Sequence, residues 1–195
     1  MKKLLPKSFY LQSDVVETAK QLLGKVLVSC QHGIRTAGII TETEAYAGEV
    51  DRASHAYGGK RTKRTETMFM QGGVAYVYLC YGIHSLFNVV TNKKDIPHAV
   101  LIRAIEPIEG TDTINLRLQQ KKMKPEVNGP AKVTVALALD LSHNGISLHS
   151  DLVRIEDYGI KIPSENITAT PRIGVDYAGE DAKLLYRFII NKPIS

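Results

Sequence analysis

Five segments rich in Val, Ile, Thr and Tyr constrain this chain more than anything else in it: 25–30 (KVLVSC), 35–46 (RTAGIITETEAY), 74–80 (VAYVYLC), 85–91 (SLFNVVT) and 98–105 (HAVLIRAI). Gly, Asn and Pro break them from one another, so they read as separate strands that must pair in a sheet. Helical signals are fewer. Residues 14–23 (DVVETAKQLL) form a short amphipathic helix, with Asp14 as cap, Glu17 completing a capping box and Gly24 as its stop. A second helix covers 111–121. A third runs over 130–139, because Asn128-Gly129-Pro130 places proline at a first helical position. The last third returns to short strands and turns. The chain of 195 residues holds no internal repeat and no Ser/Pro-rich linker, so 1–195 is expected to be one α+β domain on a largely antiparallel sheet.

Hydrophobic residues make up 44% and charged residues 23%, an ordinary globular balance. The formal charge of +5 permits a polyanionic partner without requiring one. No apolar run reaches membrane-span length, and Met1–Lys7 carries no signal-peptide core. Cys30 and Cys80 are isolated, as expected of reduced thiols in a cytoplasmic protein. The six histidines show no metal-binding spacing, and no glycine-rich phosphate loop or nucleophile elbow is present, so neither metal nor cofactor is expected.

The stretch 47–73 differs from its surroundings. It is polar, glycine-containing and basic, with Arg52, Lys60, Arg61, Lys63 and Arg64 between two strands. Such a segment is either a solvated loop or a functional one. Beside it, alternation along 37–46 puts Glu42, Glu44 and Tyr46 on one sheet face. They are surface carboxylates, or they form a site that needs a cation. Arg103, flanked by Leu101, Ile102, Ala104 and Ile105, can supply one, either as a structural ion pair or as part of that site. The runs on either side of Tyr81-Gly82 form a tight hairpin with glycine at positive φ, which exposes Tyr81 at its tip. Tyr76 and Tyr78 share a strand face, and Asn88 lies on the returning strand. An exposed aromatic at a hairpin tip can pack on the core or act as a wedge in a nucleic-acid duplex.

Six ordered blocks resemble the alkyladenine (3-methyladenine) DNA glycosylases: ETEAY at 42–46, DRASHAYGGKRTKR at 51–64, MFMQGGVAYVYLCYGIHSLFNVV at 68–90, VLIRAIEPIEG at 100–110, NGPAKVTVAL at 128–137 and PRIGVDYAGE at 171–180. The resemblance implies a curved antiparallel sheet with flanking helices and a protruding β-hairpin. It assigns water activation to Glu44 and water positioning to Arg103. It places the flipped base between Tyr46, His55 and Tyr78, and sets Asn88 to reject the exocyclic amine of guanine. It makes Tyr81 the intercalating wedge, and puts Thr62, Arg64 and Lys132 at the DNA backbone. The loop 91–97 and residues 111–127 depart from the family pattern.

That resemblance implies a partner, duplex DNA containing a damaged purine, and a reaction, hydrolysis of the N-glycosidic bond by activated water. The expected substrates are 3-methyladenine, 7-methylguanine, hypoxanthine and ethenoadenine. No Schiff-base lysine is indicated, so base release without strand cleavage is expected, by a monomer that is cytoplasmic and nucleoid-associated when bound. The rival expectation is a non-catalytic nucleic-acid-binding module built on the same loop and hairpin.

Overall fold

The computed structural model describes residues 3–191. In chain order its strands are β1 (Lys3–Leu4), β2 (Val26–Gln31), β3 (Ile34–Tyr46), β4 (Ala75–Cys80), β5 (His84–Thr91), β6 (His98–Glu109), β7 (Val153–Asp157), β8 (Ile167–Thr170) and β9 (Arg187–Ile190). Its helices are α1 (Val15–Gln21), α2 (Thr111–Gln120) and α3 (Pro130–Leu137). The strands form one open antiparallel sheet in the order β1-β7-β2-β3-β6-β5-β4, with β9 and then β8 added at the far half of β3. This is the α+β class the strand-rich segments predict.

β3 is the spine. One edge pairs with β6 along most of its length, and the other is shared by β2 over residues 34–39 and β9 over residues 42–44. Three irregularities interrupt the β3–β6 register, one between Ala37 and Gly38 and two on either side of Glu42. Ile40 pairs with Ile105 and Glu42 with Ala104, which leaves Thr41 extra on β3; Thr43 then pairs with Ile102, which leaves Arg103 extra on β6. An extra residue reverses the inside–outside alternation beyond it. Ile40 and Ala45 therefore both join the main core, although an unbroken strand would send them to opposite faces. Thr43 faces the same way and donates its hydroxyl to the Ala19 carbonyl in α1, at 2.9 Å. Glu42, Glu44 and Tyr46 are left together on the other face.

The helices cover the core side. Ile114, Leu118, Val133, Ala136 and Leu137 from α2 and α3 pack with Phe87, Val89, Ile102 and Phe188 of the sheet. Asp14 caps α1 by accepting from the Val16 and Glu17 N–H groups, at 2.9 and 3.0 Å. The Glu17 side chain does not complete the expected box. It accepts from Gln21 Nε2 and lies 3.8 Å from Lys20, partners on its own helix face. α3 stops at Leu137, two residues before the expected end, because Ala138 turns left-handed at φ 52°. β6 runs past 105 to Glu109, since the near half of β3 offers it a partner from Ala37 to Ile40.

The basic stretch 47–73 has no long element, only 3₁₀ turns at Gly48–Val50, Tyr57–Gly59 and Glu66–Phe69. It is nonetheless packed. Ala56, Met68 and Phe69 form a second apolar cluster with Tyr76, Val90 and Ala99. Its end is clamped by backbone: Gly72 N–H donates to the Asn92 carbonyl at 2.9 Å, and Asn92 N–H donates to that of Tyr10 at 2.7 Å. A Cβ on Gly72 would lie 2.2 Å from the Tyr10 oxygen and 2.9 Å from the Asn92 oxygen, both backbone atoms that no rotamer change can move. Gly72→Ala is expected to cost about 1–3 kcal/mol. In a thermal melt that appears as a fall of about 2–4 °C in Tm per kcal/mol. A variant that melts with the wild type would show that the clamp yields freely.

Candidate active site

The face of β3 that carries the carboxylates opens into a cavity of about 720 Å³, closed by the β4–β5 hairpin, the 47–73 stretch and the turn 171–177. Glu44, Tyr46, His55, Arg64, Tyr78, Tyr81, Asn88 and Arg103 all line it. Eight of the ten residues expected to act in the site thus meet at one place. Thr62 and Lys132 lie outside its walls.

Glu44 is 0% exposed. A buried carboxylate is tolerated only where donors replace the lost water, and here they come from three directions. The Ile173 N–H donates to Oε1 at 2.8 Å, Arg103 Nη1 lies 3.3 Å from the same oxygen, and the Tyr46 hydroxyl donates to Oε2 at 2.8 Å. Burial and then the adjacent Glu44 carboxylate hold the Tyr46 phenol well above its ordinary pKa, so it remains a donor. Arg103 directs its Nε to Glu42 Oε1 at 2.7 Å. Burial works against its charge, and the carboxylates of Glu44 and Glu42 outweigh that and raise its pKa.

Arg172, for which the sequence suggested no role, orders this centre from behind. Its side chain is fully buried, with Nη1 2.5 Å from Asp51 Oδ2 and Nη2 2.8 Å from Oδ1. It also donates to the carbonyls of Ala45 and Asp181, and its guanidinium lies 4.8 Å from the Tyr46 ring centre. The pair ties the 47–73 stretch to the turn 171–177 and holds the Ile173 N–H on Glu44. Both residues stand in the blocks DRASH and PRIG, where an aspartate and an arginine far apart in sequence gave no sign of a partnership.

The remaining walls are aromatic. His55 lies edge-on to Tyr78 at 4.6 Å, and Tyr76 and Tyr78 are tilted at 5.4 Å. Arg64 Nη2 lies 3.2 Å from His55 Nε2, and a guanidinium can only donate, so Nε2 accepts and Nδ1 carries the proton toward the Tyr76 hydroxyl at 3.0 Å. Burial, reinforced by Arg64 and Lys60, lowers the imidazole pKa to about 4. Asn88 is buried and donates Nδ2 to the Tyr76 carbonyl at 3.1 Å, which leaves its Oδ1 and the second Nδ2 hydrogen to offer a ligand.

At the tip of the hairpin Tyr81 is 92% exposed and Ile83 is 74% exposed. Gly82 takes the expected positive φ, at 70°, and Tyr81 before it is left-handed as well, at φ 51°. That conformation costs a residue with a Cβ on the order of 1–2 kcal/mol. Ile83 was missed, as was Tyr177, which lines the cavity with its hydroxyl fixed to the Ala53 carbonyl at 3.1 Å. Lys132 is already engaged, donating to the Glu126 carbonyl and Asn128 Oδ1 at 2.8 and 2.9 Å. The Thr62 N–H donates to Thr65 Oγ1, an interaction internal to its loop.

Two outcomes follow from this geometry. Asp51→Asn leaves the Arg172 charge buried and uncompensated, so chemical denaturation should show a loss of about 3–5 kcal/mol. Unchanged stability would mean that the pair is solvated. In an NMR titration the His55 ring should change protonation near pH 4, and at higher pH in Arg64→Gln, which lacks a repelling charge. Because the folded-state value is depressed, the stability contributed by this group is complete above about 6.5 and is lost as pH falls toward 4. A wild-type midpoint near 6.5 would contradict the buried geometry.

The sequence profile of the family described as Methylpurine-DNA glycosylase (MPG) matches residues 8–193. A protein of Chlamydia abortus named "Putative 3-methyladenine DNA glycosylase" is 52% identical over 191 residues, covering 96% of this chain and 98% of that protein. Proteins of the same name from Clostridium perfringens and Bacillus thuringiensis are 43% and 46% identical, the first covering 98% of both chains, the second 94% of this chain and 93% of that protein. A match over nearly the whole length, which takes in every wall of the cavity, means that the chain belongs to the methylpurine-DNA glycosylase family.

Proposed function

We propose that the protein is a monofunctional DNA glycosylase that extrudes an alkylated or deaminated purine from duplex DNA and hydrolyses its N-glycosidic bond. The observation that carries this reading is Glu44: a buried, arginine-paired carboxylate at the base of an aromatic-walled cavity in a basic protein. A module that only binds a polyanion gains nothing from it. An ionised carboxylate offers about four acceptor positions. Two are taken by hydrogen bonds from Ile173 and Tyr46, Arg103 stands beside Oε1 as an ion-pair partner, and a position left on Oε2 is suited to a water molecule.

In the proposed reaction the C1′–N bond breaks, and the base departs with the bonding electron pair. Water oxygen bonds to C1′ of the oxocarbenium-like sugar, and Glu44 accepts the proton. The base stacks among Tyr46, His55 and Tyr78. Alkylation at 3-methyladenine or 7-methylguanine makes the base cationic, which strengthens its attraction to the two phenol rings. An imidazolium would repel that cation. The low pKa of His55 therefore suits a wall meant to stack on it, and leaves it equally compatible with neutral hypoxanthine or ethenoadenine.

Extrusion costs a few kcal/mol. The exposed Tyr81 ring can fill the vacancy in the duplex, and stacking in the pocket contributes about 1–3 kcal/mol for each aromatic contact. In this reading Asn88 is the residue that an exocyclic amine of guanine would crowd. Arg64, Thr62 and Lys132 are placed in this reading at the phosphate backbone, with Arg64 facing the cavity and Lys132 engaging phosphate only through the ammonium hydrogen its two partners leave free. The protein acts as a monomer.

Single-turnover release of hypoxanthine, ethenoadenine or 7-methylguanine from duplex oligonucleotides, with EDTA present, tests the proposal. Glu44→Gln should bind the duplex with unchanged affinity and lose excision by about 10²–10⁴-fold. Full activity in that variant removes Glu44 from the chemistry. Binding without release by the wild type would establish the non-catalytic module instead.

A further inference from the structure

Glu42 takes no part in the proposed reaction, yet it is the best-paired carboxylate on the cavity side of β3. Its Oε1 accepts from Arg103 Nε at 2.7 Å and from Arg187 Nε at 2.6 Å, and its side chain is only 11% exposed. Arg187 lies directly across from Glu44 in the β3–β9 register but turns to Glu42, with Nη1 3.3 Å from Thr170 Oγ1. Arg103 occupies the unpaired bulge position on β6 and spends its Nε on Glu42, so only Nη1, at 3.3 Å, approaches Glu44. The four charges form a neutral chain, Arg187–Glu42–Arg103–Glu44, in which Arg103 is shared between two carboxylates.

We propose that Glu42 is a positioning residue for the reaction: by holding Arg103 through Nε, it limits how closely that guanidinium can engage Glu44. The inference rests on Glu44 acting as the base. The groups facing Glu44 are Tyr46 on its own strand, Arg103 on β6, Tyr78 on β4 and Arg172 in the turn 171–177, with Arg187 across from it on β9. A guanidinium free to close on Glu44 as a two-pronged fork would occupy the acceptor position that water needs and would make the carboxylate a weaker base. Held off at one nitrogen, Arg103 stays beside Glu44 as its counter-charge and leaves the position that water needs open. Arg187 balances the second carboxylate so that the shared arginine is not drawn wholly to Glu42.

The chain makes two substitutions act in opposite directions. In Glu42→Gln two arginines face one carboxylate, so the acid limb of the single-turnover pH–rate profile should move down by about one unit. The rate on the plateau should fall about tenfold or more. In Arg187→Gln the centre gains net negative charge and Arg103 is held more firmly by Glu42, so the acid limb should move up. Glu42→Gln/Arg187→Gln restores neutrality, and its limb should return toward the wild-type position. Affinity for the hypoxanthine duplex, measured by fluorescence anisotropy, should stay within about twofold in all three. A purely structural role lowers the rates without moving the limbs apart. Arg187 is the most exposed member of the chain, at 20%, and its variant carries the test if Glu42→Gln does not fold. Limbs that stay in place, or move the same way, overturn the inference while Glu44→Gln remains inactive. Activity in Glu44→Gln overturns the reading beneath it.

Discussion

Charge inside the protein is the constraint on which the rest of this structure depends. Glu44 has no exposed surface, and the Arg172–Asp51 pair behind it has almost none. Removing such groups from water costs several kcal/mol for each ion unless fixed donors and counter-charges replace the solvent. The fold supplies them by convergence: β6 brings Arg103, β9 brings Arg187, and the turn 171–177 brings a backbone N–H and Arg172. Glu44 on β3, Arg103 on β6 and the donors of the turn and β9 lie far apart in sequence, so the centre exists only when the sheet is complete. The register shifts between β3 and β6 on either side of Glu42 are part of the same solution. They let one strand present Ile40, Thr43 and Ala45 to the core while Glu42 and Glu44 share the other face.

The same arrangement explains why the net charge is a poor guide to the surface a polyanion would meet. Arg61 is committed to Glu66 and Asp95, at 2.6 and 2.8 Å. Arg35 pairs with Glu109 and Glu156, and Arg172 is spent on Asp51. Arg64, by contrast, lies 4.9 Å from the Tyr78 ring centre and faces the cavity. Within the basic stretch 47–73, Arg61 is thus committed to its partners, while Lys60 and Lys63 are exposed. The stretch is a packed wall that directs one guanidinium at the mouth and keeps His55 neutral inside it.

Much of this was legible in the sequence, for identifiable reasons. The five strand segments follow from β-branched and aromatic runs bounded by Gly, Asn and Pro, and all five appear within a few residues of their expected limits. Two-residue alternation put Glu42, Glu44 and Tyr46 on one face, and an arginine in an apolar strand implied a buried carboxylate partner. What was not legible depends on tertiary pairing. Nothing in a linear pattern says that Arg103 engages Glu42 more closely than Glu44. Nor does it couple Asp51 to Arg172 across 121 residues. The Glu17 capping box failed because its side chain had nearer partners one helical turn along. The bulges were invisible because Thr41 and Arg103 are ordinary strand residues in local propensity.

Local misfit supplies a last link between fold and site. Tyr81 holds a backbone conformation that favours glycine and exposes nearly all of its ring, losing on both counts relative to a polar turn residue. Ile83 beside it is also largely exposed, so the tip carries two apolar side chains that folding does not reward. Tyr177, also lining the cavity, is 71% exposed with its hydroxyl tied down. A chain selected for stability alone would place none of the three in these positions. The residues that fit their local surroundings worst, Tyr81 in the open and Glu44 in the interior, mark the entrance and the base of one cavity. The β4–β5 hairpin carries Tyr81 away from the sheet, and the packing of Val77, Phe87 and Val89 in the core lets stability gained there support strain at the tip.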